Sequence, residues 1–112
     1  MSADRIALVD TLMGHYNRQD ADAYAALFVN EGTEANYRGA VLRDGRDGVR
    51  DGLRKMFSEF PENRVEVIQQ SVFGDTVLMH ERVYRSSAAE PFDVMAIYSF
   101  RGEQVERVEF IR

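Results

Sequence analysis

The spacing of apolar residues changes at Pro61, and this change limits the folds that the 112-residue chain can adopt. Before Pro61, apolar residues recur at helical intervals, which predicts an amphipathic helix over residues 47–60. Its apolar positions are Val49, Leu53, Met56, Phe57 and Phe60. Gly52 weakens the helical propensity, and we expect it to let another element approach closely. After Pro61 the period becomes two, which is typical of strands.

Four strands are predicted after Pro61, separated by turns or loops. They cover residues 64–73, 76–85, 92–100 and 104–111. Tight turns at Gly74–Asp75 and at Arg101–Glu103 are short enough to join antiparallel neighbours.

Two more helices are predicted in the first third of the chain. The first is capped by Ser2 and ends near Asn17. The second is short, follows the N-cap residue Asp20, and stops at Gly32. Residues 33–38 are interpreted as a short extended segment, and residues 39–45 as a hairpin-like crossing that leads to the third helix. Three helices followed by four antiparallel strands predict an α+β fold in which a curled sheet packs its concave face on the helices.

Composition excludes several classes of function. The formal net charge is −5 with acids and bases interspersed, so the chain lacks the basic stripe that nucleic-acid binding needs. There is no cysteine, no glycine-rich phosphate loop and no cluster of metal ligands, so we expect no cofactor. Neither a signal peptide nor an apolar run of about 20 residues is present. We therefore expect one cytoplasmic domain over residues 1–112, with no membrane contact.

The predicted strand over residues 76–85 carries the residues that most suggest a binding site. Alternate side chains of a strand share one face, and three polar groups do so here. They are His80, Arg82 and Tyr84. A face with an imidazole, a guanidinium and a phenol is typical of a lined cavity, so we expect it to point inward. The opposite parity, with Met79, Glu81 and Val83, is then expected to point outward.

The outward face of the sheet is predicted to mix apolar and charged residues. On the last strand, the residues that share parity are Val105, Arg107, Glu109 and Ile111. Together with Met79 and Val83, such a mixture suits a dimer interface better than a face exposed to solvent.

Motifs along nearly the whole chain resemble the nuclear transport factor 2-like superfamily, and in particular its SnoaL-like and ketosteroid-isomerase-like branch. The motifs are YNRQDADA at 16–23, LF at 27–28, DGRDGVR at 44–50, FP at 60–61 and RGEQV at 101–105. The resemblance implies a cystatin-like conical barrel in which three N-terminal helices pack on a strongly curved, mostly antiparallel sheet. It also implies a pocket for a small apolar organic ligand and a homodimer formed through the outer sheet face.

The resemblance to ketosteroid isomerases does not extend to their catalytic set, which comprises a tyrosine, a carboxylate base and a protonated aspartic acid. The matching positions hold Leu12, Asn36 and Ala96. None of these side chains can play the corresponding role, so isomerisation by that route is not expected. Glu34 is a candidate for a displaced base, although a solvated carboxylate at a loop edge is the favoured interpretation.

The epoxide hydrolases of the superfamily use an Asp-Arg-Asp set, and one element of it is retained. The segment from Glu81 to Tyr84 resembles their Glu-Arg-Val-Asp motif, with Arg82 at the arginine position. Tyr84 replaces the following carboxylate, and the second carboxylate position falls near Phe110. Ordinary epoxide hydrolysis is therefore not expected either.

Two interpretations of the polar face remain. In the first, His80 is a general base and Arg82 stabilises negative charge in a lyase-, isomerase- or hydrolase-type reaction. In the second, Arg82 pairs with a carboxylate such as Asp93, and His80 only packs. Additional ligand contacts are predicted for four side chains. They are Tyr16, Asn36, Tyr84 and Tyr98.

These alternatives lead to three competing hypotheses for the function. The protein is an enzyme of the SnoaL-like type, a dimer that binds a ligand without turnover, or an interaction module whose cavity is packed shut. A cavity of about 300 Å³ or more favours the first two.

Overall fold

The structure, a computed structural model, describes residues 2–112, with side chains described from Asp4 onward. Its elements run in the order α1 (Ser2–Asn17), α2 (Ala21–Ala26), β1 (Phe28–Asn36), β2 (Val41–Asp44), α3 (Gly45–Glu59), β3 (Arg64–Phe73), β4 (Thr76–Tyr84), β5 (Phe92–Arg101) and β6 (Gln104–Ile111). The α+β class is confirmed, as are the four predicted strands after Pro61, each within a residue of its predicted bounds.

The helices begin and end close to the predicted positions, with one exception. Helix α1 ends at Asn17, and Asp20 caps α2 by accepting a hydrogen bond from the Ala23 amide at 3.0 Å. The predicted cap at Ser2 lies outside the residues whose side chains are described. Helix α2 stops at Ala26 rather than at Gly32, so the predicted helical stop at Gly32 is wrong.

Gly32 lies inside β1, which begins at Phe28, before the predicted extended segment over residues 33–38, and β2 lies within the predicted hairpin-like crossing. Strand β1 pairs in parallel with β6 and antiparallel with β2, and its register with β6 shifts between Phe28 and Thr33. Glycine, glutamate and asparagine along β1 are weak strand formers, so only pairing with β6 and β2 makes the segment extended. Because β1 and β2 precede α3, the three helices do not form one N-terminal block.

The six strands form one sheet in the order β2-β1-β6-β5-β4-β3. All neighbours are antiparallel except β1 and β6. Strands β2 and β3 are edges, so backbone hydrogen bonds do not close the sheet into the expected barrel. None of the helices within residues 2–112 has the length and apolar content that a membrane span requires.

The hydrophobic core lies between the helices and one face of the sheet, here called the inner face. On β4 the buried side chains are Val77, Met79, Glu81 and Val83, and on β5 they are Val94, Ala96 and Tyr98. The predicted parity of β4 is therefore wrong, because Met79 and Val83 point inward and His80, Arg82 and Tyr84 point outward. Val105 on β6 is also fully buried rather than outward, because the β5–β6 register shifts between Ser99 and Phe100.

We expect opposite effects from alanine at two glycines. A Cβ at Gly32 would lie 2.9 Å from Phe28 Cδ2 and 3.1 Å from the Val29 carbonyl oxygen. Gly32→Ala should therefore lower the free energy of unfolding by about 1–3 kcal/mol. Gly14 lies within α1, and a Cβ there would meet only the mobile Arg18 guanidinium, at 3.3 Å. Gly14→Ala should leave the free energy of unfolding unchanged or raise it by up to about 1 kcal/mol. Urea denaturation measures both, and equal losses would contradict the close packing at Gly32.

Candidate active site

A cavity of about 80 Å³ lies between the helices and the inner face of the sheet. Its polar lining consists of Tyr16, Tyr24, Glu34, Arg43, Glu81, Arg85, Tyr98 and Arg112. Its apolar lining consists of Met13, Leu42, Met56, Val83, Phe92, Val94 and Phe110. The volume is well below the expected 300 Å³, so the space admits only a small ligand or a few waters.

One carboxylate of the cavity, Glu34, is held by a phenol and a guanidinium. Tyr24 Oη donates to Glu34 Oε2 at 2.6 Å, and Arg43 Nη1 donates to Glu34 Oε1 at 2.6 Å. Glu34 and Arg43 are directly paired across β1 and β2, which places their side chains together. Glu34 is 1% exposed, so its interpretation as a solvated carboxylate is wrong.

Gly52 on α3 makes room for this ion pair. A Cβ at Gly52 would lie 2.8 Å from both Cδ and Nε of Arg43. The expected close approach at Gly52 is therefore confirmed, and the approaching group is the Arg43 side chain. Burial alone would lower the pKa of Arg43, but the charge and hydrogen bond of Glu34 raise it, which keeps the guanidinium charged.

The second carboxylate, Glu81, has a different environment. It lies on the inner face of β4 between Met79 and Val83 and is 6% exposed. Tyr98 Oη donates to Glu81 Oε2 at 2.7 Å, while no cation within residues 4–112 forms an ion pair with Glu81. Burial raises the pKa of Glu81 to about 7, an effect that the Tyr98 hydrogen bond opposes and the negative charge of Glu34 reinforces.

The two tyrosines that donate to these carboxylates are fixed as donors. Burial, followed by the charges of Glu34 and Glu81 respectively, raises the pKa of Tyr24 and of Tyr98 well above the ordinary value. Both phenols therefore stay protonated near neutral pH. The cavity thus contains one carboxylate paired with a cation and one that can gain or lose a proton close to pH 7.

A third polar group lies around Arg85, which follows β4 and continues its inward parity. Arg85 Nη1 donates to Asn63 Oδ1 at 2.8 Å, and Asn63 Nδ2 donates to Tyr16 Oη at 2.8 Å. Asn63 is 1% exposed, so this chain of hydrogen bonds fixes its amide. Burial raises the pKa of Tyr16, although the Asn63 hydrogen bond and the Arg85 charge oppose this. Tyr16 therefore presents a protonated phenol to the cavity.

The residues predicted as catalytic lie on the other side of the sheet. His80 Nε2 lies 2.8 Å from Asp93 Oδ2, and Arg82 Nε donates to Asp93 Oδ1 at 2.9 Å. Hydrogen bonds from Arg82 and His80 lower the pKa of Asp93 to about 2. The prediction that His80, Arg82 and Tyr84 point into the cavity is wrong. The alternative, in which Arg82 pairs with Asp93, is confirmed.

The predicted ligand contacts divide into two groups. Tyr16 and Tyr98 line the cavity. Tyr84 is on the outer face, where its hydroxyl donates to Glu66 Oε1 at 2.9 Å, and Asn36 is exposed at the end of β1 and absent from the lining. The cavity is open rather than packed shut, although Phe110 forms part of its wall.

Sequence reasoning did not find Glu81, Arg43 or Arg85. A signal for Glu81 was present, because Met79 and Val83 flank it at the spacing of one strand face. An ionisable residue on an otherwise apolar face either finds a partner or has a perturbed pKa. Arg43 carried no such signal, because it lies in the predicted hairpin-like crossing, where no side chain was assigned to a face.

Nothing in the described chain forms a ready metal site. Residues 4–112 contain no group of three or more His, Asp or Glu side chains placed to hold a metal ion. The two cavity carboxylates are each hydrogen-bonded to a tyrosine instead. The polar groups that line the cavity are carboxyl, phenol and guanidinium groups.

Comparison with known proteins agrees with the fold. The model of the SnoaL-like domain family matches residues 9–108, and the chain therefore belongs to this family. An uncharacterized cystatin-fold protein from Novosphingobium aromaticivorans is 41% identical, with 96% of this chain and 97% of that one covered and a TM-score of 0.92. None of the curated proteins is similar enough to this chain to match it.

More distant structures share the fold alone. A provisionally named polyketide cyclase from Sinorhizobium meliloti is 16% identical, with 94% of both chains covered and a TM-score of 0.80. A protein with a ketosteroid isomerase-like fold from Catenulispora acidiphila, in complex with trimethylamine, is 19% identical. There, 94% of this chain and 84% of that one are covered, with a TM-score of 0.77. The predicted resemblance to the SnoaL-like and ketosteroid-isomerase-like branch is confirmed.

The raised pKa of Glu81 predicts that stability falls as the pH rises. Between its ordinary pKa of 4.5 and about 7, the folded state holds a proton that the unfolded state has lost. The free energy of unfolding should therefore fall over this range, by an amount on the order of 3 kcal/mol, and level off above it.

Urea denaturation at pH 5 and pH 8 measures this effect against two variants. The difference in free energy of unfolding between wild type and Glu81→Gln should decrease from pH 5 to pH 8. A constant effect of the amide on stability cancels in this comparison. The exposed Glu66→Gln control should change in parallel with wild type. A pH dependence that Glu81→Gln leaves unaltered would show that Glu81 ionises normally.

Proposed function

We propose that this protein is a small-molecule enzyme of the isomerase, cyclase or hydrolase type, in which Glu81 transfers the proton. The proposal rests on one observation: Glu81 is buried in the wall of a cavity, forms no ion pair with a cation among residues 4–112, and has a pKa of about 7. A carboxyl group that is partly ionised at the working pH is well suited to general acid–base catalysis.

The other cavity residues would have distinct tasks. Tyr98 orients the carboxyl group of Glu81 and leaves the second oxygen, Oε1, for a ligand. The Tyr16 phenol accepts a hydrogen bond from Asn63, so its own proton can be donated to a ligand oxygen. Arg85 lies close enough to Tyr16 to contribute positive charge to that region. Glu81 would thus remove a proton from the ligand while Tyr16 and Arg85 stabilise the negative charge that develops.

The related structures support a small ligand without identifying it. The protein from Catenulispora acidiphila holds trimethylamine, and the cavity of the present chain is similarly suited to a molecule of few heavy atoms. The name of the Sinorhizobium meliloti protein suggests cyclisation of a polyketide. At 16% identity this name supports only the general class of reaction.

A second function, binding without turnover, is favoured by the small volume and by the hydrogen bonds that both carboxylates already make within the protein. The two functions differ in what they require of Glu81. A binding protein needs its carboxyl group only as a hydrogen-bonding partner, whereas an enzyme needs its proton to exchange.

Exchange of α-protons with D2O, followed by NMR on a panel of small ketones and β-dicarbonyl compounds, tests the proposal. We expect wild type to accelerate exchange for at least one compound, with kcat/KM rising through pH 7 as Glu81 ionises. Glu81→Gln should be slower by a factor of about 100 or more, because a general base is lost.

Glu66→Gln and His80→Gln are the matched controls, since both side chains lie on the outer face and should leave exchange unchanged. Equal rates for wild type and Glu81→Gln would reject the catalytic role of Glu81. Saturable binding without acceleration for any compound would favour the binding function.

We also propose a homodimer formed through the outer face of the sheet. Its centre is apolar, with Leu78 opposite Ile97 and with Met95 opposite Ile111. Around this centre lie groups of both charges, including the Arg82–Asp93 pair. A face with an apolar centre and charges of both signs can be complementary to a second copy of itself.

Ile97→Glu should dissociate the dimer, because it places a carboxylate in the apolar centre next to Glu109, its neighbour on β6. Sedimentation at micromolar concentration should give a dimer for wild type and a monomer for the variant. Leu8→Glu on α1, away from the sheet, serves as the control and should remain dimeric. A monomeric wild type would contradict the proposal.

A further inference from the structure

The positive charges of the cavity exceed its available negative charges. Arg43 is neutralised by Glu34 at 2.6 Å, and Glu81 favours its neutral form up to about pH 7. Arg85 and Arg112 also line the cavity, and within the part of the chain whose side chains are described neither forms an ion pair with a carboxylate. The cavity is therefore electrostatically prepared for an anion.

Arg85 is held in place by contacts of Nη1 and by the nearby Tyr16 phenol. Nη1 donates to Asn63 Oδ1 at 2.8 Å and lies 3.0 Å from Met56 Sδ. Its guanidinium lies 5.3 Å from the centre of the Phe92 ring, and that of Arg112 lies 5.0 Å from the same ring. Phe92 thus brings two guanidinium groups to one side of the cavity.

Among residues 4–112, Arg85 donates to Asn63 and Met56 through Nη1, which leaves the edge formed by Nε and Nη2 to meet a ligand beside the Tyr16 phenol. Two parallel N–H groups on such an edge match the two oxygens of a carboxylate. A lysine would offer a point charge without this geometry. The edge therefore suits an oxyanion that offers two oxygens, and the apolar part of the lining, which includes Val83, Phe92 and Val94, favours a carboxylate with a short carbon chain.

We propose that the cavity binds a small monocarboxylate, with its carboxylate on the Nε–Nη2 edge of Arg85 and its carbon chain directed towards Glu81. A space of about 80 Å³ accommodates roughly six water-sized atoms, which corresponds to an acid of three to five carbons. The inference rests on the proposed use of this cavity and specifies the class of substrate. Binding of the carboxylate requires Arg85, whereas proton transfer requires Glu81.

Binding of propionate and butyrate, compared with propionamide and butyramide, tests the inference without a known substrate. In NMR titrations we expect the acids to bind saturably and to shift the Nε–H signal of Arg85. They should bind at least about ten-fold more tightly than the amides, because each amide lacks the charge that the guanidinium recognises. Equal affinity for acids and amides would overturn the inference.

Arg85→Met should weaken propionate binding at least about ten-fold, and Arg85→Lys should lie between Arg85→Met and wild type. Arg54→Met removes an exposed guanidinium that pairs with Asp22 on the helical side, and should bind propionate as wild type does. If Arg85→Met does not fold, the Arg85→Lys variant and the comparison of acids with amides still show whether a carboxylate binds at Arg85. Propionate binding by Arg85→Met that equals wild type would also overturn the inference.

Glu81→Gln separates this inference from the proposed function. Retained propionate binding together with lost proton exchange is the result expected if both are right. Propionate binding without proton exchange in wild type would leave the carboxylate site standing and reject catalysis. Proton exchange on uncharged ketones, with no preference for acids over amides, would reject the carboxylate site alone.

Discussion

The placement of Glu81 on the apolar inner face of β4 is the constraint on which the site depends. Its neighbours at the same parity, Met79 and Val83, are buried, and each contributes about 1.5–3 kcal/mol of hydrophobic stabilisation. Turning Glu81 outward would expose both, because a strand reverses all of its side chains together. Their combined contribution matches or exceeds the penalty on ionised Glu81, which is on the order of 3 kcal/mol. The core therefore keeps the carboxyl group in the cavity.

Glu34 and Glu81 are the same residue type in different environments: Glu34 is paired with a guanidinium, whereas Glu81 can gain or lose a proton near pH 7. Both are buried and both accept a hydrogen bond from a tyrosine at similar distances. Among the residues whose side chains are described, Glu34 has a cation partner and Glu81 has none, because β2 brings Arg43 directly opposite Glu34 and Gly52 leaves space for the arginine side chain. Their difference thus arises from strand pairing and from one missing Cβ.

The sequence pattern was sufficient for most elements and insufficient for the site. The strands after Pro61 and helix α3 were predictable because their apolar periods extend over eight or more residues. Strand β1 was predicted only in its second half, because its first half depends on partners distant in sequence to become extended. The parity of β4 was misjudged because polar groups were assumed to line a cavity. If the apolar residues Val77, Met79 and Val83 had been taken to mark the buried face of β4, Glu81 would have been predicted to point inward and His80 outward.

The inner face of β4 also sets the distance between Glu81 and Arg85, the two cavity residues proposed to act on a ligand. Arg85 follows Glu81 by four residues on the same face, a backbone separation of about 13 Å in an extended strand. A small acid cannot span that distance, so the two groups can act on one ligand only because both side chains extend into the same space. The length of the arginine side chain, fixed by Asn63 and Phe92, then determines how far a bound carboxylate lies from Glu81. Ligand size would thus be selected by the reach of two side chains and not by the spacing of the strand.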